Sequence, residues 1–257
     1  AIDAASALPR ATSRSYWSDA PDTNLLAGGA AGRLPVVDAR QLYSDLVTNR
    51  IRDAANRIGP GNAHLDAQRL GIASGDPETA DEVLGWFAAE RTLGDPGPHA
   101  PVVVDYPAAG QRIVFAVTHD GLLHAFDAGS GVENWAWLPH ELLPRLVHLM
   151  RNEPTTVRDH GIDGPLVLHR FDPDGDGHID AAAGEHLWLL FGLGRGGNRY
   201  YALDISAADD PRLAWSIALP GAGGVESRAA PVVTRLAIAE SGQSAGDWVV
   251  LLAGGYD

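Results

Sequence analysis

Three segments of the chain open with a proline followed by a short apolar run. They are PVVVDY from Pro101, PLVLHR from Pro165 and PVVTRL from Pro231, and successive openings lie roughly 65 residues apart. A fixed period of this size indicates that the chain repeats one compact unit. Because each unit opens with a strand-like run, this repeat limits the possible folds more than any other feature of the sequence.

Each opening is followed by a second apolar strand that ends in glycine or in an Asp-Gly turn. These second strands are RIVFAVTHDG, HLWLLFGLGRGG and WVVLLAGGYD. In the first two repeats LLHAFD and YYALD come next, and a strand that carries Trp135 or Trp215 completes the unit. Four short strands joined by tight turns form one antiparallel blade. We therefore predict an all-β fold, a β-propeller of four-stranded antiparallel blades; a β-sandwich has a similar strand count but does not explain the repeat.

The blades do not account for the whole chain of 257 residues. We assign residues 93–257 to the blades and residues 1–92 to an irregular N-terminal segment that leads into them. The blade region holds about two and a half repeats, whereas propellers close with about four to eight blades. We therefore expect the chain to be part of a larger protein and to end inside a blade.

Two stretches have helical rather than strand-like spacing. The first covers residues 39–58, where Tyr43, Val47, Ile51 and Ala54 share one helical face. The second is LPHELLPRLVHLMRN, between the first and second repeats, in which apolar residues recur every three to four positions. We predict a helix in each.

Composition restricts the partners. The formal net charge is -14, so the chain lacks the basic face that binding to nucleic acid or to an anionic membrane surface requires. No apolar run approaches the roughly 20 residues of a membrane helix, so we expect no membrane insertion by this segment. Cysteine is absent, which excludes disulfides and thiolate metal sites.

The motifs that suggest catalysis have simpler explanations. Gly192, Gly194 and Gly197 have the spacing of a dinucleotide-binding loop, but the strand YYALD follows them where that loop requires a helix. The ten histidines form no His-x-x-x-His pair with a third ligand on a predicted helix. We therefore predict that the chain is not an enzyme.

One stretch, FDPDGDGHID from Phe171, places four aspartates within ten positions. Carboxylates so close together disfavour one another's ionised form, unless they stay apart in a solvated loop or a cation lies among them. The order Asp-x-Asp-x-Asp-Gly-x-Ile-Asp matches the first nine positions of an EF-hand calcium loop, in which the glycine permits a sharp bend and the isoleucine anchors the loop to the core. The oxygen donors in this pattern are the carboxylates of Asp172, Asp174, Asp176 and Asp180 and the backbone carbonyl of His178.

The loop departs from the EF-hand at position 12, where Ala183 replaces the bidentate glutamate. Either Asp180 is itself a close ligand, or Glu185 reaches back, or water completes the six to eight oxygens that calcium takes; we favour Asp180. Magnesium is less suitable, because it demands near-octahedral geometry and keeps its waters. The sequence thus predicts a Ca²⁺ site, with a solvated acidic turn as the alternative.

Several strings, in their order along the chain, resemble the C-terminal propeller of the PilC/PilY family of type IV pilus biogenesis and tip-adhesin proteins. They are THDGLLHAFDAGSG, LPHELLPRLVHL, DPDGDGHID, LLFGLGRGGNRYYALD and VVLLAGGYD. HAFDAGSGVENWAW also resembles the repeat of quinoprotein-type propellers. The resemblance is firmest from Leu93 onward and loose over residues 36–89.

The resemblance implies a segment of a secreted protein at the pilus tip or outer membrane, exported through the periplasm. Members of the family support pilus biogenesis, cell adhesion and twitching motility, so minor pilins and host or abiotic surfaces are the expected partners. The family's calcium loop maps onto Asp172, Asp174, Asp176, the His178 carbonyl and Asp180, and it is linked to control of pilus extension against retraction.

Two other hypotheses remain open at this point. One is a propeller of the pyrroloquinoline quinone-dependent dehydrogenase type, although such enzymes commonly use a vicinal cysteine pair that this chain lacks. The other is a calcium-stabilised propeller that binds carbohydrate.

Overall fold

The computed structural model describes residues 12–21, 28–36, 39–89, 93–152, 160–221, 225–237, 244 and 246–253. The strands are β1 (Leu42–Tyr43), β2 (Val102–Tyr106), β3 (Gln111–Val117), β4 (Leu123–Asp127), β5 (Glu133–Trp137), β6 (Val167–Phe171), β7 (His186–Gly192), β8 (Arg199–Asp204), β9 (Arg212–Ala218), β10 (Val232–Arg235) and β11 (Trp248–Leu251). Three α-helices are described: α1 (Gly29–Gly32), α2 (Ala80–Ala89) and α3 (Arg145–Arg151).

The first two repeats fold as antiparallel sheets whose strands pair in chain order. β2, β3, β4 and β5 pair in succession in the first sheet, and β6, β7, β8 and β9 do so in the second. Each opening proline lies just before the first strand of its repeat, where its missing N–H leaves the ladder intact. The chain is therefore an all-β protein built of four-stranded antiparallel blades, and this prediction is confirmed.

The third repeat contributes β10 and β11, which pair antiparallel as a two-stranded sheet. Residues 254–257, where the chain is expected to end inside a blade, lie outside the described residues. The proposed division at residues 92 and 93 falls next to residues 90–92, which also lie outside them, and it stays a prediction.

The N-terminal segment adds to the edges of both blades. β1 pairs in parallel with β5, with Leu42 opposite Ala136, and so becomes a fifth strand of the first sheet. A few residues later, the Leu213 N–H at β9 donates to the Asn49 carbonyl at 2.7 Å, and the Ile51 N–H donates to the Pro211 carbonyl at 2.9 Å. The segment of residues 42–51 thus joins the outer edge of the first blade to that of the second.

The predicted helix over residues 39–58 is wrong. This stretch contains β1, turns and a short 3-10 helix at Ala54–Asn56. The buried Asn56 side chain organises the turns: its Oδ1 accepts hydrogen bonds from three successive backbone N–H groups, Leu46 to Thr48, and its Nδ2 donates to the Thr48 and Arg50 carbonyls at 2.8 Å. The Asn56 side chain thus provides hydrogen-bond partners for backbone N–H and carbonyl groups that would pair with one another in a helix.

The helix predicted after the first repeat is confirmed as a 3-10 turn at His140–Leu142 followed by α3. Pro144 precedes α3 as its N-cap, a position where a proline costs no intrahelical hydrogen bond. α3 packs against α2, which the sequence analysis did not predict. The overlooked signal is the pair Thr79 and Glu82, which form a capping box in front of the apolar residues of α2.

One apolar core runs through both blades and the N-terminal segment. Buried members include Leu42 from β1, Phe87 from α2, Trp137 from β5 and Tyr201 from β8. β4 and β8 are buried on both faces, as expected for strands with a neighbour on each side in the sheet and packing above and below. No helix in the described ranges combines the length and apolarity needed to span a bilayer.

Candidate metal centre

The aspartate-rich loop connects β6 to β7, the first two strands of the second blade. Its two stems are fixed by strand pairing, with Phe171 opposite His186, and the two rings stack with their centroids 5.0 Å apart. The loop is therefore held at both ends by a regular hairpin.

The structure brings together three of the predicted ligands. Carboxylate oxygens of Asp172, Asp174 and Asp176 all lie within 4.8 Å of one another. The Asp172 carboxylate is the most enclosed, with its side chain 9% exposed, whereas Asp174 and Asp176 are exposed. The three acidic groups thus converge on one point at the surface.

Backbone N–H groups of the loop hold these carboxylates in place. Asp172 accepts from the Gly175 N–H at 2.8 Å and from the Gly177 N–H at 3.1 Å. Asp174 accepts from the Asp176 N–H at 3.2 Å. Such bonds fold the loop back on its own side chains.

Two glycines make this winding possible. Gly175 has φ +72° and Gly177 has φ +82°, in the left-handed region where a Cβ atom is disfavoured. Gly177 is the residue to which the sequence pattern assigns the sharp bend. The next residue, His178, is exposed, and its N–H donates to Asp176 at 2.7 Å.

Asp180 lies outside the three-carboxylate group. Its Oδ1 accepts from the Ala182 N–H at 2.9 Å and caps the 3-10 helix Ala181–Ala183. The buried Glu185 carboxylate in turn accepts from the Asp180 N–H at 2.8 Å. Both acidic groups that could complete the ligand set are thus engaged at the end of the loop, and direct ligation by Asp180 or by the His178 carbonyl stays a prediction.

The loop also forms one wall of a cavity between the two blades. Gly177, His178 and Ile179 line it on one side, and Tyr106 and Ala208 lie among its other lining residues, around a volume of about 420 Å³. Ile179 packs against the core, as the sequence pattern predicts. A change in the path of the loop would therefore alter this cavity.

The chemistry of the three-carboxylate group fits a hard cation. Calcium takes six to eight oxygen ligands, and carboxylates are its usual protein donors. Arg170 is the nearby cationic group: its Nη1 donates to the Gly177 carbonyl at 2.8 Å and lies 4.0 Å from the Asp172 carboxylate. Because three acidic groups outnumber this one guanidinium, the loop retains a net negative charge that a divalent cation can neutralise.

A second cluster was missed by the sequence analysis. Ligand atoms of His119, His160 and Asp163 lie within 4.8 Å of one another. The two histidines are far apart in sequence and show no metal-binding spacing, so only the tertiary structure reveals the group.

Two further motifs lie, along the chain, between strands that pair antiparallel. The glycines of the dinucleotide-like pattern form the connection from β7 to β8, with Gly194 at φ +63°, as predicted. GQSAG at residues 242–246, which the sequence analysis overlooked, has the spelling of a nucleophile elbow. Ser244, however, lies between the antiparallel strands β10 and β11, whereas that elbow requires a turn from a strand into a helix.

Comparison with known proteins supports the resemblance seen in the sequence. The chain is 31% identical over 143 residues to "Type IV pilus biogenesis factor PilY1 homolog" of Xylella fastidiosa and 30% identical over 146 residues to "Type IV pilus biogenesis factor PilY1" of Pseudomonas aeruginosa. Each alignment covers 56% of this chain and 10% or 11% of the relative. The chain therefore spans about a tenth of the length of these relatives, and the resemblance to the PilC/PilY family is confirmed.

Among solved structures, the chain is similar to the crystal structure of the Pseudomonas aeruginosa PilY1 C-terminal domain. The match has 25% sequence identity and a TM-score of 0.37, and it covers 56% of this chain and 25% of that chain. No family model matches the chain. Both curated relatives are named as biogenesis factors rather than as enzymes.

Proposed function

We propose that this chain is a calcium-binding, non-enzymatic propeller segment of a type IV pilus biogenesis protein. The observation that carries the proposal is the convergence of Asp172, Asp174 and Asp176 on one loop, in a chain similar to PilY1 proteins. A hard divalent cation is the ligand that this donor set suits best.

In this proposal the three carboxylates, the His178 carbonyl and Asp180 hold the ion. Calcium supplies positive charge that replaces the repulsion between neighbouring carboxylates. The backbone N–H bonds to Asp172 and Asp174 fold the loop around these carboxylates, so the backbone and the ion would hold the carboxylates in the same arrangement. The enclosed Asp172 is expected to contribute most, since its side chain is the least hydrated of the three.

At the level of the whole protein, we propose a location at the cell surface with the pilus, and minor pilins as partners. Adhesion to surfaces and twitching motility are the processes in which the intact protein would act. Calcium would regulate pilus extension against retraction through the loop and the adjoining inter-blade cavity, because Gly177, His178 and Ile179 belong to both.

The first test is calcium titration calorimetry on the chain and on Asp174→Asn. The substitution removes a charge but leaves an oxygen that can still accept from the Asp176 N–H. We expect one saturable Ca²⁺ site in the wild-type chain and its loss in the variant. Ligand binding stabilises a fold by about 2.7 kcal/mol at a hundredfold excess over Kd, so calcium should also raise the melting temperature of the wild-type chain alone.

Asp209→Asn is the matched control, because Asp209 is an exposed aspartate of the same inter-blade cavity but outside the loop. It should bind calcium as the wild-type chain does. A calcium site that survives in Asp174→Asn would contradict the assignment of the site to this loop. No calcium binding by the wild-type chain would mean that the loop is a solvated acidic turn. If calcium binds as expected, twitching of cells that carry Asp174→Asn in the full-length protein tests the regulatory part separately.

A further inference from the structure

Two imidazoles and one carboxylate meet where the first blade joins the second. His119 lies in the turn between β3 and β4, and His160 and Asp163 lie in the connection that leads to β6. The His119 Nε2 lies 2.9 Å from the Asp163 Oδ1, and the His119 and His160 rings meet edge to face with their centroids 5.4 Å apart. The group is removed from solvent, with the His119 side chain 11% and the Asp163 side chain 7% exposed.

The backbone around this group has no room for side chains. A Cβ on Gly161 would lie 2.3 Å from the Gly121 nitrogen, and one on Gly196 would lie 1.8 Å from the Gly161 oxygen. A Cβ on Gly194 would lie 2.8 Å from the Asp163 carbonyl carbon. Glycine at these three positions therefore allows three loops to approach closely enough to bring the imidazoles and the carboxylate together.

Asp163 is oriented by groups that lie outside the cluster. Arg195 Nε donates to its Oδ2 at 2.5 Å and Nη2 donates to Oδ1 at 3.1 Å. The Arg195 guanidinium therefore fixes the direction of the Asp163 carboxylate, as hydrogen-bond donors commonly do for carboxylates that bind metals.

This donor set differs in kind from that of the aspartate-rich loop. Two imidazole nitrogens with one carboxylate oxygen form a ligand set found in zinc sites, whereas calcium prefers oxygen alone. In a tetrahedral zinc site with bonds of about 2.0–2.2 Å, donor atoms lie roughly 3.3 Å apart. The separations within the cluster, from 2.9 Å to at most 4.8 Å, approach this value and require only small side-chain movements.

We propose that His119, His160 and Asp163 form a binding site for Zn²⁺, distinct from the calcium loop. Arg195 then lies in the outer shell: it keeps its bond to Oδ2 while Oδ1 turns to the metal, as hydrogen-bond donors commonly orient ligating carboxylates. Three protein ligands leave the fourth position for water. The metal connects the β3–β4 turn of the first blade to the connection that enters the second, and so fastens the two blades.

The test is titration of the chain with Zn²⁺ by calorimetry, beside His119→Gln and His148→Gln. Glutamine at position 119 keeps an amide that can donate to Asp163 but removes the imidazole nitrogen. His148 is an exposed histidine of α3 outside the cluster, so its variant controls for adventitious binding by surface imidazoles. We expect one Zn²⁺ per chain for the wild type and for His148→Gln.

In His119→Gln the affinity should fall at least about 100-fold, since even outer-shell changes alter metal affinity by about 10–100-fold. Zn²⁺ should raise the melting temperature of the wild-type chain and of Asp174→Asn, which keeps the histidine cluster intact. If His119→Gln proves unfolded without metal, His160→Gln provides the same comparison. If His119→Gln binds Zn²⁺ as tightly as His148→Gln does, or if the wild-type chain binds no Zn²⁺, the cluster is only a hydrogen-bonded contact between the blades.

Discussion

At the scale of single residues, the most enclosed charge in the described ranges belongs to Glu133 at the start of β5. Its side chain is fully buried and accepts from Arg40 Nε at 2.8 Å, and its other oxygen pairs with His124 Nδ1 at 2.7 Å. Burial opposes ionisation of Glu133, but the bonds from His124 and Arg40 outweigh it and lower the pKa to about 2. This network fixes the N-terminal segment, through Arg40, to the first blade.

The depressed pKa of Glu133 predicts acid sensitivity. Because the folded-state pKa lies below the ordinary value of 4.5, the network stabilises the fold fully above that pH and loses its contribution as the pH falls from there toward about 2. Glu133→Gln should cost about 3–5 kcal/mol at pH 7, since it removes the negative charge from a buried ion pair with Arg40. Urea unfolding of the wild-type chain and of Glu133→Gln measures the difference in their free energies of unfolding. This difference should become smaller as the pH falls from about 5 to about 3.

Glu226→Gln is the control for this experiment, because Glu226 pairs with Arg228 at the surface. Exposed pairs contribute only about 0–1 kcal/mol, so the control should track the wild type at every pH. A stability difference between wild type and Glu133→Gln that stays constant across the acid range would contradict the role assigned to Glu133.

At the scale of elements, α2 shows how a local signal and tertiary packing combine. Thr79 and Glu82 cap each other reciprocally: the Thr79 N–H donates to the Glu82 carboxylate at 2.8 Å, and the Glu82 N–H donates to Thr79 Oγ1 at 3.2 Å. The helix then buries Val83, Leu84 and Phe87 and packs against α3. The cap sets where the helix begins, and the buried face keeps it attached to α3 and the apolar core.

Thr79→Ala should therefore lower the free energy of unfolding by about 1 kcal/mol, the usual value of a lost N-cap. Thr79→Ser keeps the hydroxyl and should stay within a few tenths of a kcal/mol of the wild type. Chemical denaturation measures the free energy of unfolding of both variants, and the m-value should equal that of the wild type. Equal stability of the alanine and serine variants would show that packing alone determines the start of α2.

At the scale of the whole molecule, the two blades meet through backbone contact as well as through the apolar core. Gly161, in the connection between the blades, lies against Gly121 of the first blade. Any side chain at position 161 would separate these loops and disturb the cluster of His119, His160 and Asp163.

Gly161→Ala should destabilise the chain by about 1–3 kcal/mol, the usual cost of forcing a methyl group into a packed region. Gly59→Ala is the matched control, because a Cβ there meets nothing within 4 Å. It should be neutral or slightly stabilising, since alanine restricts the unfolded chain. Thermal unfolding of the two variants gives the comparison, and a Gly161→Ala protein as stable as Gly59→Ala would contradict close contact between the blades.

Much of the fold follows from the sequence because its signals are local. The opening prolines, the glycine turns and the apolar runs act within a few residues, and they place the eight strands of the first two blades close to where the structure has them. The spacing of Asp172, Asp174 and Asp176, with Gly177 at the bend, is equally local, and the structure brings those three carboxylates together. Chain connectivity alone keeps them near one another.

Other features were decided only by the tertiary structure, because they depend on segments that meet across long stretches of chain. Residues 39–58 have helical spacing, yet β1 pairs with β5 and Asn56 takes over the backbone bonds of the turn. The contacts of His119 with Asp163 and of Arg40 with Glu133 likewise join residues that are far apart in the sequence. No spacing rule links such distant positions, since their contact arises from the packing of whole blades rather than from local preference.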